Sequence, residues 1–512
     1  MDRQLLFMPP NDHLSTGSFI TLCVLFLTSA VLVALGLRRR SRSGGRGQQS
    51  SSSRRGLSVQ VTDRAVAHRA LVQHSAAFLD RPTGAVPSTI LTRSRHHNIH
   101  SAPYGPYWRA VRRNVSAVAL HPSRLRLLRG ARARVLGDLV RELRAGSGAA
   151  PASETLHFAV YHVLAEMCFG RDVVAEVIGE ARLRAMHGFQ REILLALPSF
   201  GVLLKYPMVL GKLLYPSRWK QLVALRRHQE ETFLPLVAEV ARKRRRKVDD
   251  SDDLLFKSYV ESLLDVRVHE EDGDSRAVTD GELVSLISEF LGTGTESTAT
   301  ALEWTMARLI KHPEVQQKLR DEVDSIIASS PGAGGGGVVQ EEDLPRMPYL
   351  RAVVLESLRR HPPVPFVLRH VEGGHEDDDA ARVLGVPRLP DHGGGATVNF
   401  RVGKINRDPA AWSDPDAFKP ERFMPGGEAE TVDLTCTREL RMMPFGAGRR
   451  VCPGIATAML HLEYLVANLV REFEWKEPHG EEEVDLTESR GFFMTVMKRP
   501  LRAKVVPRNA AQ

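Results

Sequence analysis

The sequence predicts a mainly helical, α+β domain with small β-sheets, preceded by one N-terminal transmembrane helix. Three observations support this fold class. An uncharged apolar segment occupies positions 18–37, helical spacing of apolar residues dominates from about residue 120 to 325, and strand-like patterns are confined to short regions such as 57–61 and 362–400. Of the 512 residues, 43% are hydrophobic and 26% charged, a composition that excludes disordered and fibrous proteins.

The first of these segments is long enough to cross a bilayer, because 20 helical residues span about 30 Å. Four arginines between positions 38 and 42 follow it, so the positive-inside rule places the rest of the chain in the cytoplasm. A cleaved signal peptide is the alternative, but its basic residues would precede a shorter apolar region. The sequence therefore predicts four parts, namely a lumenal tail (1–17), an uncleaved anchor (18–37), a basic Ser/Gly linker (38–56) and one large folded domain (57–512).

The four cysteines are few and widely spaced, at Cys23, Cys168, Cys436 and Cys452. No C-x-x-C pair is present, which argues against a disulfide scaffold and a structural zinc site and favours a reducing compartment. The net charge of +9 is not concentrated in stripes interleaved with aromatic residues, so we expect no nucleic-acid partner. An acidic protein or an anionic membrane surface suits this charge better.

Cys452 lies in the stretch PFGAGRRVCPG, directly before a segment with helical spacing. A helix N-terminus and the nearby Arg449 and Arg450 are predicted to favour the thiolate over the thiol. Gly446 and Gly448 allow backbone amides to approach the sulfur. Such a sulfur suits a soft or borderline metal, and a buried inert cysteine is the alternative.

The run Phe445-Gly446-x-Gly448-x-Arg450-x-Cys452-x-Gly454 resembles the haem-thiolate signature of the cytochromes P450. The resemblance implies a haem b cofactor, with Cys452 as the proximal iron ligand and metal-binding residue. It also implies that Phe445 forms an apolar wall beside the sulfur and that Arg450 pairs with a haem propionate. The similarity extends over about residues 57–505 and looks like plant microsomal members, so we expect a P450-like helical domain.

A second stretch, of roughly 33 residues, predicts a long helix that begins with a capping box between Thr279 and Glu282. Its middle contains glycines and hydroxyl residues, which are poor helix formers. This middle resembles the oxygen-binding groove of the P450 central helix, which implies Glu296 as the acid and Ser297 as the alcohol of a proton relay, with Thr298 able to share the role. Hydroxyls that bond back to the i−4 carbonyl are the alternative.

Two further elements resemble the family and concern the surroundings of the cofactor. Glu356 and Arg359, at i and i+3 of a predicted helix, should form a pair. With Arg422 of the PERF element they resemble the buried Glu-Arg-Arg network of the family, which we expect to support the haem pocket rather than to take part in chemistry.

Other residues are implied to hold the propionates. Trp108 and Arg112, four positions apart, match the Trp-x-x-x-Arg of the family, and His370 falls near another propionate-contacting position. Three histidines between positions 96 and 100 could suggest a metal site, but no carboxylate or cysteine completes it. We therefore expect a solvated loop there.

The resemblance implies a haem-thiolate monooxygenase that inserts one oxygen atom from O2 into an apolar small molecule. Its electrons would come from NADPH-cytochrome P450 reductase, and its catalytic domain would face the cytosol from the endoplasmic reticulum membrane, in contact with lipid. Reductase docking is expected at a basic face formed by Arg109, Arg112, Arg113 and Arg449.

Two alternatives remain open from the sequence. The first is a haem-thiolate isomerase or dehydratase of hydroperoxides, which needs neither O2 nor a reductase. The second is a non-catalytic protein, because residues 41–56 are too short to hold the hinge, first helix and first strand that the family normally places between the anchor and LSVQVTD.

Overall fold

The computed structural model describes eleven ranges of the chain. They are 57–82, 98–146, 152–205, 208–247, 257–270, 273–329, 337–372, 379–387, 395–478, 483–489 and 493–508. The predicted anchor and linker lie outside these ranges. Within the described ranges, no helix is both long enough and apolar enough to cross a membrane.

Helices make up most of the described residues, as the sequence predicts. The α-helices are α1 (Arg64–His68), α2 (Pro106–Asn114), α3 (Pro122–Leu127), α4 (Arg129–Ala145), α5 (Ala152–Phe169), α6 (Arg171–Val173), α7 (Gly179–Ala196), α8 (Met208–Leu214), α9 (Pro216–Lys247), α10 (Tyr259–Leu264), α11 (Asp280–Lys311), α12 (Pro313–Ala328), α13 (Pro348–Arg360), α14 (Asp379–Leu384), α15 (Val402–Ile405) and α16 (Ile455–Glu472). Short π-helical turns follow some of them, at Arg69–Gln73, Val115–Ala119 and Val174–Ile178. Short 3₁₀ segments occur at Leu197–Lys205, Leu344–Arg346, Pro420–Phe423 and Gly448–Arg450.

The strands are short and form three small sheets within the described residues. They are β1 (Leu57–Val61), β2 (Arg267–His269), β3 (Ser275–Ala277), β4 (Val367–Val371), β5 (Ala396–Phe400), β6 (Phe473–Lys476) and β7 (Lys504–Pro507). The three-stranded sheet has the order β1-β5-β4, with β1 parallel and β4 antiparallel to β5. The other two sheets are the antiparallel pairs β2-β3 and β6-β7.

The predicted long helix is present as α11, and its capping box is confirmed. The Thr279 side chain accepts a hydrogen bond from the Glu282 backbone N–H, and the Glu282 carboxylate accepts one from the Thr279 backbone N–H. These reciprocal bonds satisfy two amides that a helix start would otherwise leave unpaired. The glycine-containing middle remains helical.

The core is built around α11, which packs against α5, α7, α9, α13 and α16. Its C-terminal half is almost fully buried, and the fully buried Trp304 donates its indole N–H to the Thr495 carbonyl at 2.6 Å. Because α16 begins just after Cys452, the packing of α11 on α16 joins the middle of α11 and the cysteine loop in one core.

Candidate functional site

The loop that carries Cys452 is held by its own backbone. The Cys452 N–H donates to the Phe445 carbonyl at 2.9 Å, and the Gly454 N–H donates to the Cys452 sulfur at 3.3 Å. Helix α16 begins at Ile455, so Pro453 precedes the helix and does not lie in its first turn. Phe445 packs against the hydrophobic core beside this loop.

The charge that acts on the sulfur comes from a residue other than the two that the sequence favoured. Burial raises the pKa of the Cys452 thiol, and the Gly454 amide and the Arg112 guanidinium both act to lower it. Arg112 also donates to the Val451 carbonyl, one residue before the cysteine. Arg449 is exposed and lies over the Tyr104 ring at 6.0 Å, so the local cation is Arg112 and not Arg449.

The turn before the cysteine depends on glycine. Gly446 and Gly448 both have φ of +72°, a conformation that residues with a Cβ rarely adopt. A Cβ built on Gly448 would collide with the backbone carbonyl of Leu71, whereas one on Gly446 would meet only the Val367 side chain at 3.8 Å. The close backbone approach at Gly448 fixes the cysteine loop against the segment after α1.

We expect Gly448→Ala to reduce haem occupancy and the free energy of unfolding far more than Gly446→Ala. Both substitutions cost about 1–2 kcal/mol for left-handed backbone, but only the first adds a collision with a carbonyl that cannot rotate away. Urea unfolding and the ratio of haem to protein in the purified variants measure the difference. Equal losses in the two variants would contradict this account of the turn.

Four guanidinium groups converge near this loop, and one of them is the predicted Arg450. It donates to the Leu79 carbonyl at 2.5 Å and to the Ala102 carbonyl at 2.8 Å, and its remaining terminal nitrogen, Nη1, is buried without a partner among the described residues. The other three, which interact electrostatically with Arg450 or with each other, are Arg81, Arg112 and Arg369.

The cluster has more positive than negative charge. Burial together with the Arg450 charge lowers the pKa of Arg81 to about 10. Burial together with the charges of Arg81 and Arg450 holds the pKa of Arg369 well below its usual value. The carboxylates nearby are Asp80, 3.8 Å from Arg450, and Glu289, whose pKa is raised by burial to about 7. Added carboxylates would offset this excess of positive charge, and haem carries two propionates, so these residues fit the group.

The remaining residues implied to hold the propionates are placed differently. Trp108 is buried under the Arg450 guanidinium at 5.0 Å, and its indole N–H is engaged by the Ile99 carbonyl at 3.2 Å. His370 lies on β4, where alternation places it on the face opposite to the buried Arg369. The structure therefore brings Arg369, rather than His370, next to Arg450.

The residues predicted to form a proton relay lie in the middle of α11, and the acid points toward α5. The Glu296 carboxylate is 3.5 Å from His157 Nδ1, and the other ring nitrogen of His157 is 3.5 Å from Glu303. A cavity of about 70 Å³ adjoins these groups and is lined also by Ser153 and Arg191. Glu296 is thus connected to a space large enough for water.

The two hydroxyl residues follow Glu296 on the same helix. Ser297 is partly exposed and Thr298 is buried. Gly294, two positions before the acid, faces Leu164 of α5, where an added Cβ would come within 3.0 Å of that side chain. This glycine therefore permits the close approach of α5 and α11 that brings His157 to Glu296.

The predicted Glu-Arg-Arg network is present and buried. Glu356 accepts from Arg359 Nε at 2.6 Å and Nη2 at 2.8 Å, and Arg422 Nε lies 3.4 Å from the same carboxylate. The Lys419 backbone N–H donates to Glu356 at 2.9 Å. These bonds fasten α13 to the PERF segment, which agrees with a structural role.

Sequence reasoning missed several residues of the site. Arg369 could have been found from the alternation of β4, because it shares the face of the buried Val371 and of Val367, whose side chain lies beside Gly446 of the cysteine loop. His157 and Glu289 have no local signal, because their partners lie on other elements. His100 is exposed, as expected for a solvated loop, and its ring also contacts Arg81; His96 and His97 lie outside the described residues.

Comparisons with known proteins agree with this geometry. The family model described as "Cytochrome P450" matches residues 55–505. The chain is similar to "Cytochrome P450 89A9" of Arabidopsis thaliana, at 42% identity over 458 residues that cover 88% of this chain and 84% of the relative. It is also similar to a flavonoid 3'-monooxygenase of the same plant, at 28% identity, covering 85% and 80% of the two chains.

A solved structure matches the fold. A zebra fish cytochrome P450 with progesterone superposes with a TM-score of 0.68 at 21% identity, covering 89% of this chain and 95% of that one.

Proposed function

The chain belongs to the cytochrome P450 family and is a haem-thiolate monooxygenase, and from this premise we propose a more specific role. It holds haem b, is anchored in the endoplasmic reticulum membrane with its catalytic domain in the cytosol, and receives electrons from NADPH-cytochrome P450 reductase. Its substrate is an apolar small molecule, into which one oxygen atom of O2 is inserted.

The observation that carries the proposal is that a cysteine sulfur able to bind iron lies close to several arginine side chains whose positive charge is not balanced. Cys452 supplies the sulfur, and Arg81, Arg369 and Arg450 supply the positive charge that two propionates need. When bound, haem supplies the redox chemistry of O2, which the thiolate assists by donating electron density. Arg112 holds the loop through the Val451 carbonyl and stabilises negative charge on the sulfur.

The acid and alcohols of α11 then move protons. Glu296 is fixed beside His157 and the cavity, so it exchanges protons with water there, and Ser297 and Thr298 carry them to the reacting side of the helix. Ser297 lacks the methyl group that would restrict its rotamer, which makes this relay looser than one with threonine at that position.

The experiment that tests the proposal is the absorption spectrum of the reduced protein with carbon monoxide, followed by turnover with reductase and NADPH. A red-shifted Soret band of the thiolate type and NADPH-dependent oxygenation support it. Rearrangement of hydroperoxides without O2 or NADPH would instead identify an isomerase, and the absence of any haem signal would identify a non-catalytic protein.

The basic face expected for reductase is smaller in the structure than in the sequence. Arg109, Arg113 and Arg449 are exposed, and we define the basic face by these three residues. Arg112 is directed inward to the cysteine loop and does not belong to it. Arg109 and Arg449 both lie over the Tyr104 ring, at 5.8 and 6.0 Å, which brings two positive charges together near the loop.

Reversing charge on the basic face with Arg109→Glu and Arg449→Glu is expected to slow reduction by reductase about tenfold at low salt, because encounter is steered electrostatically. Stopped-flow formation of the carbon monoxide complex measures this rate. Arg245→Glu with Arg246→Glu, at exposed positions near the end of α9, is the matched control with the same charge change. Equal rates in both double variants would remove the basic face from the proposal.

Lipid contact is supported by exposed apolar side chains in and around α8. Large apolar side chains exposed in this part of the chain are Leu195, Val209, Leu210, Leu213, Leu214 and Val223. Val209 and Leu213 are 81% and 76% exposed, and Lys212 lies over the Trp219 ring at 4.2 Å. An apolar patch with basic and tryptophan side chains suits the interface of a membrane.

The anchor itself is tested by alkaline carbonate extraction of membranes that contain the full chain. The wild type should stay in the membrane pellet, and Leu25→Arg with Leu32→Arg should release it, because each buried arginine costs about 2.5–3.5 kcal/mol at the bilayer centre. The control variant, Ser51→Arg with Ser52→Arg, adds the same charge outside the apolar segment and should stay in the membrane pellet. Retention of the first variant would refute a spanning helix at 18–37.

A further inference from the structure

Three buried side chains from three helices meet beside the cavity next to α11. They are His157 of α5, His187 of α7 and Glu296 of α11, exposed by 1%, 7% and 5%. One ligand atom from each lies within 4.8 Å of the other two. We propose that these side chains form a binding site for a divalent transition metal such as Zn²⁺, whose occupancy blocks the proton relay.

The first support for this proposal is a buried nitrogen that lacks a partner. His187 Nε2 is buried and has no hydrogen-bond partner among the described residues, whereas each ring nitrogen of His157 already lies 3.5 Å from a carboxylate. A buried polar atom without a partner costs about 1–3 kcal/mol. A metal ion that accepts an electron pair from His187 Nε2 removes this cost at that ring.

The second support for this proposal is the Glu303 carboxylate, which lies beside the His157 ring on the side away from Glu296. Its Nδ1 faces Glu296 and its Nε2 faces the Glu303 carboxylate, each at 3.5 Å. Histidines that bind a metal through one nitrogen commonly donate the other N–H to a carboxylate, which fixes the ring and raises its basicity. Glu303 is itself held in place, because it accepts the Leu501 backbone N–H at 2.8 Å.

The donor set selects the class of metal. Two imidazoles and one carboxylate suit zinc with a fourth position left for water, whereas Mg²⁺ and Ca²⁺ prefer oxygen ligands alone. The cavity of about 70 Å³ that His157 and Glu296 line has room for that water. Arg191 also lines the cavity and opposes a cation, while the negative charge of Glu303 favours one.

Occupancy has a functional consequence that rests on the proposed role of Glu296. A carboxylate held by a metal ion cannot accept a proton from cavity water or pass one to Ser297. Zinc should therefore inhibit oxygenation without displacing haem, because the site uses none of the residues of the cysteine loop or the arginine cluster.

The test is zinc binding to the purified full-length holoenzyme, without a polyhistidine tag, by equilibrium dialysis with elemental analysis. We expect about one zinc ion per chain, and at least a tenfold loss of affinity in His187→Ala and His187→Gln. His162→Ala is the matched control, because His162 also lies on α5 and faces a glutamate, Glu166 at 3.6 Å, but stands outside the cluster. The carbon monoxide spectrum of each variant shows that it is folded.

Zinc K-edge absorption spectroscopy supplies a second readout, with two imidazoles and oxygen ligands expected in the wild type. Absence of zinc binding, or equal affinity in the His187 variants and the wild type, would overturn the inference. These outcomes are independent of the proposed function. An enzyme that oxygenates substrate but binds no zinc refutes only the metal site, and a zinc-binding protein without turnover refutes only the proposed function.

Discussion

Replacing Cys452 with alanine is expected to abolish the thiolate-type Soret band of the reduced, carbon-monoxide-bound protein. The variant removes the sulfur to which the Gly454 amide donates and on which the Arg112 charge acts. No other described cysteine can substitute. Cys168 is buried within α5, and burial raises the pKa of Cys436 to about 12, so that its sulfur remains a thiol that donates to the Met442 carbonyl.

The matched control for this experiment is Cys436→Ala, which removes another buried cysteine a short distance before the same loop. It should keep the thiolate-type band, even if the protein is less stable. A Cys452→Ala protein that retains an unchanged band would contradict the assignment of the ligand. If both variants lose the band and both also lose haem, the assay reports folding rather than ligation. Cys452→Ser, which nearly keeps the size of the side chain, then separates loss of the ligand from loss of packing.

Removing the Glu356 carboxylate is expected to destabilise the fold by about 3–5 kcal/mol, because it leaves the buried Arg359 without its counter-ion. Arg422 loses one partner but keeps its ion pair with Glu428. Glu356 and Arg359 have no exposed side-chain surface, and Arg359 also donates to the Pro415 carbonyl at 2.8 Å. Glu356→Gln keeps the volume and isolates the charge. Urea unfolding of the purified variant measures the loss.

The comparison for this measurement is Glu421→Gln in the adjoining PERF segment. Glu421 pairs with Lys318 at 2.7 Å, but both side chains are more than half exposed, so the loss should stay below about 1 kcal/mol. A Glu356→Gln variant no less stable than Glu421→Gln would mean that the buried network does not hold α13 to this segment.

Features with local determinants were predictable from the sequence. The capping box at Thr279 depends on residues three positions apart, and the Glu356–Arg359 pair depends on one turn of helix, so each could be derived from spacing. The glycines before Cys452 likewise belong to one turn, and their left-handed φ follows from their residue type.

Features that depend on tertiary packing could not be derived in this way. His157 acquires its role only because Gly294 lets α5 approach α11 closely, and Glu289 acts through the backbone N–H groups of a segment 190 positions earlier. Arg369 is an exception, because the alternation of β4 could have identified it in place of His370. The anchor and the linker remain predictions, because they lie outside the described residues.

The contacts of the cysteine loop constrain when the site can be assembled in the cell. Arg450 bonds to Leu79, a residue 371 positions earlier, and Gly448 rests on the backbone of Leu71. During translation Leu71 and Leu79 leave the ribosome long before Cys452 does. Cofactor insertion is therefore confined to the nearly finished polypeptide, and any premature stop codon upstream of α16 yields a product that cannot be rescued by added haem.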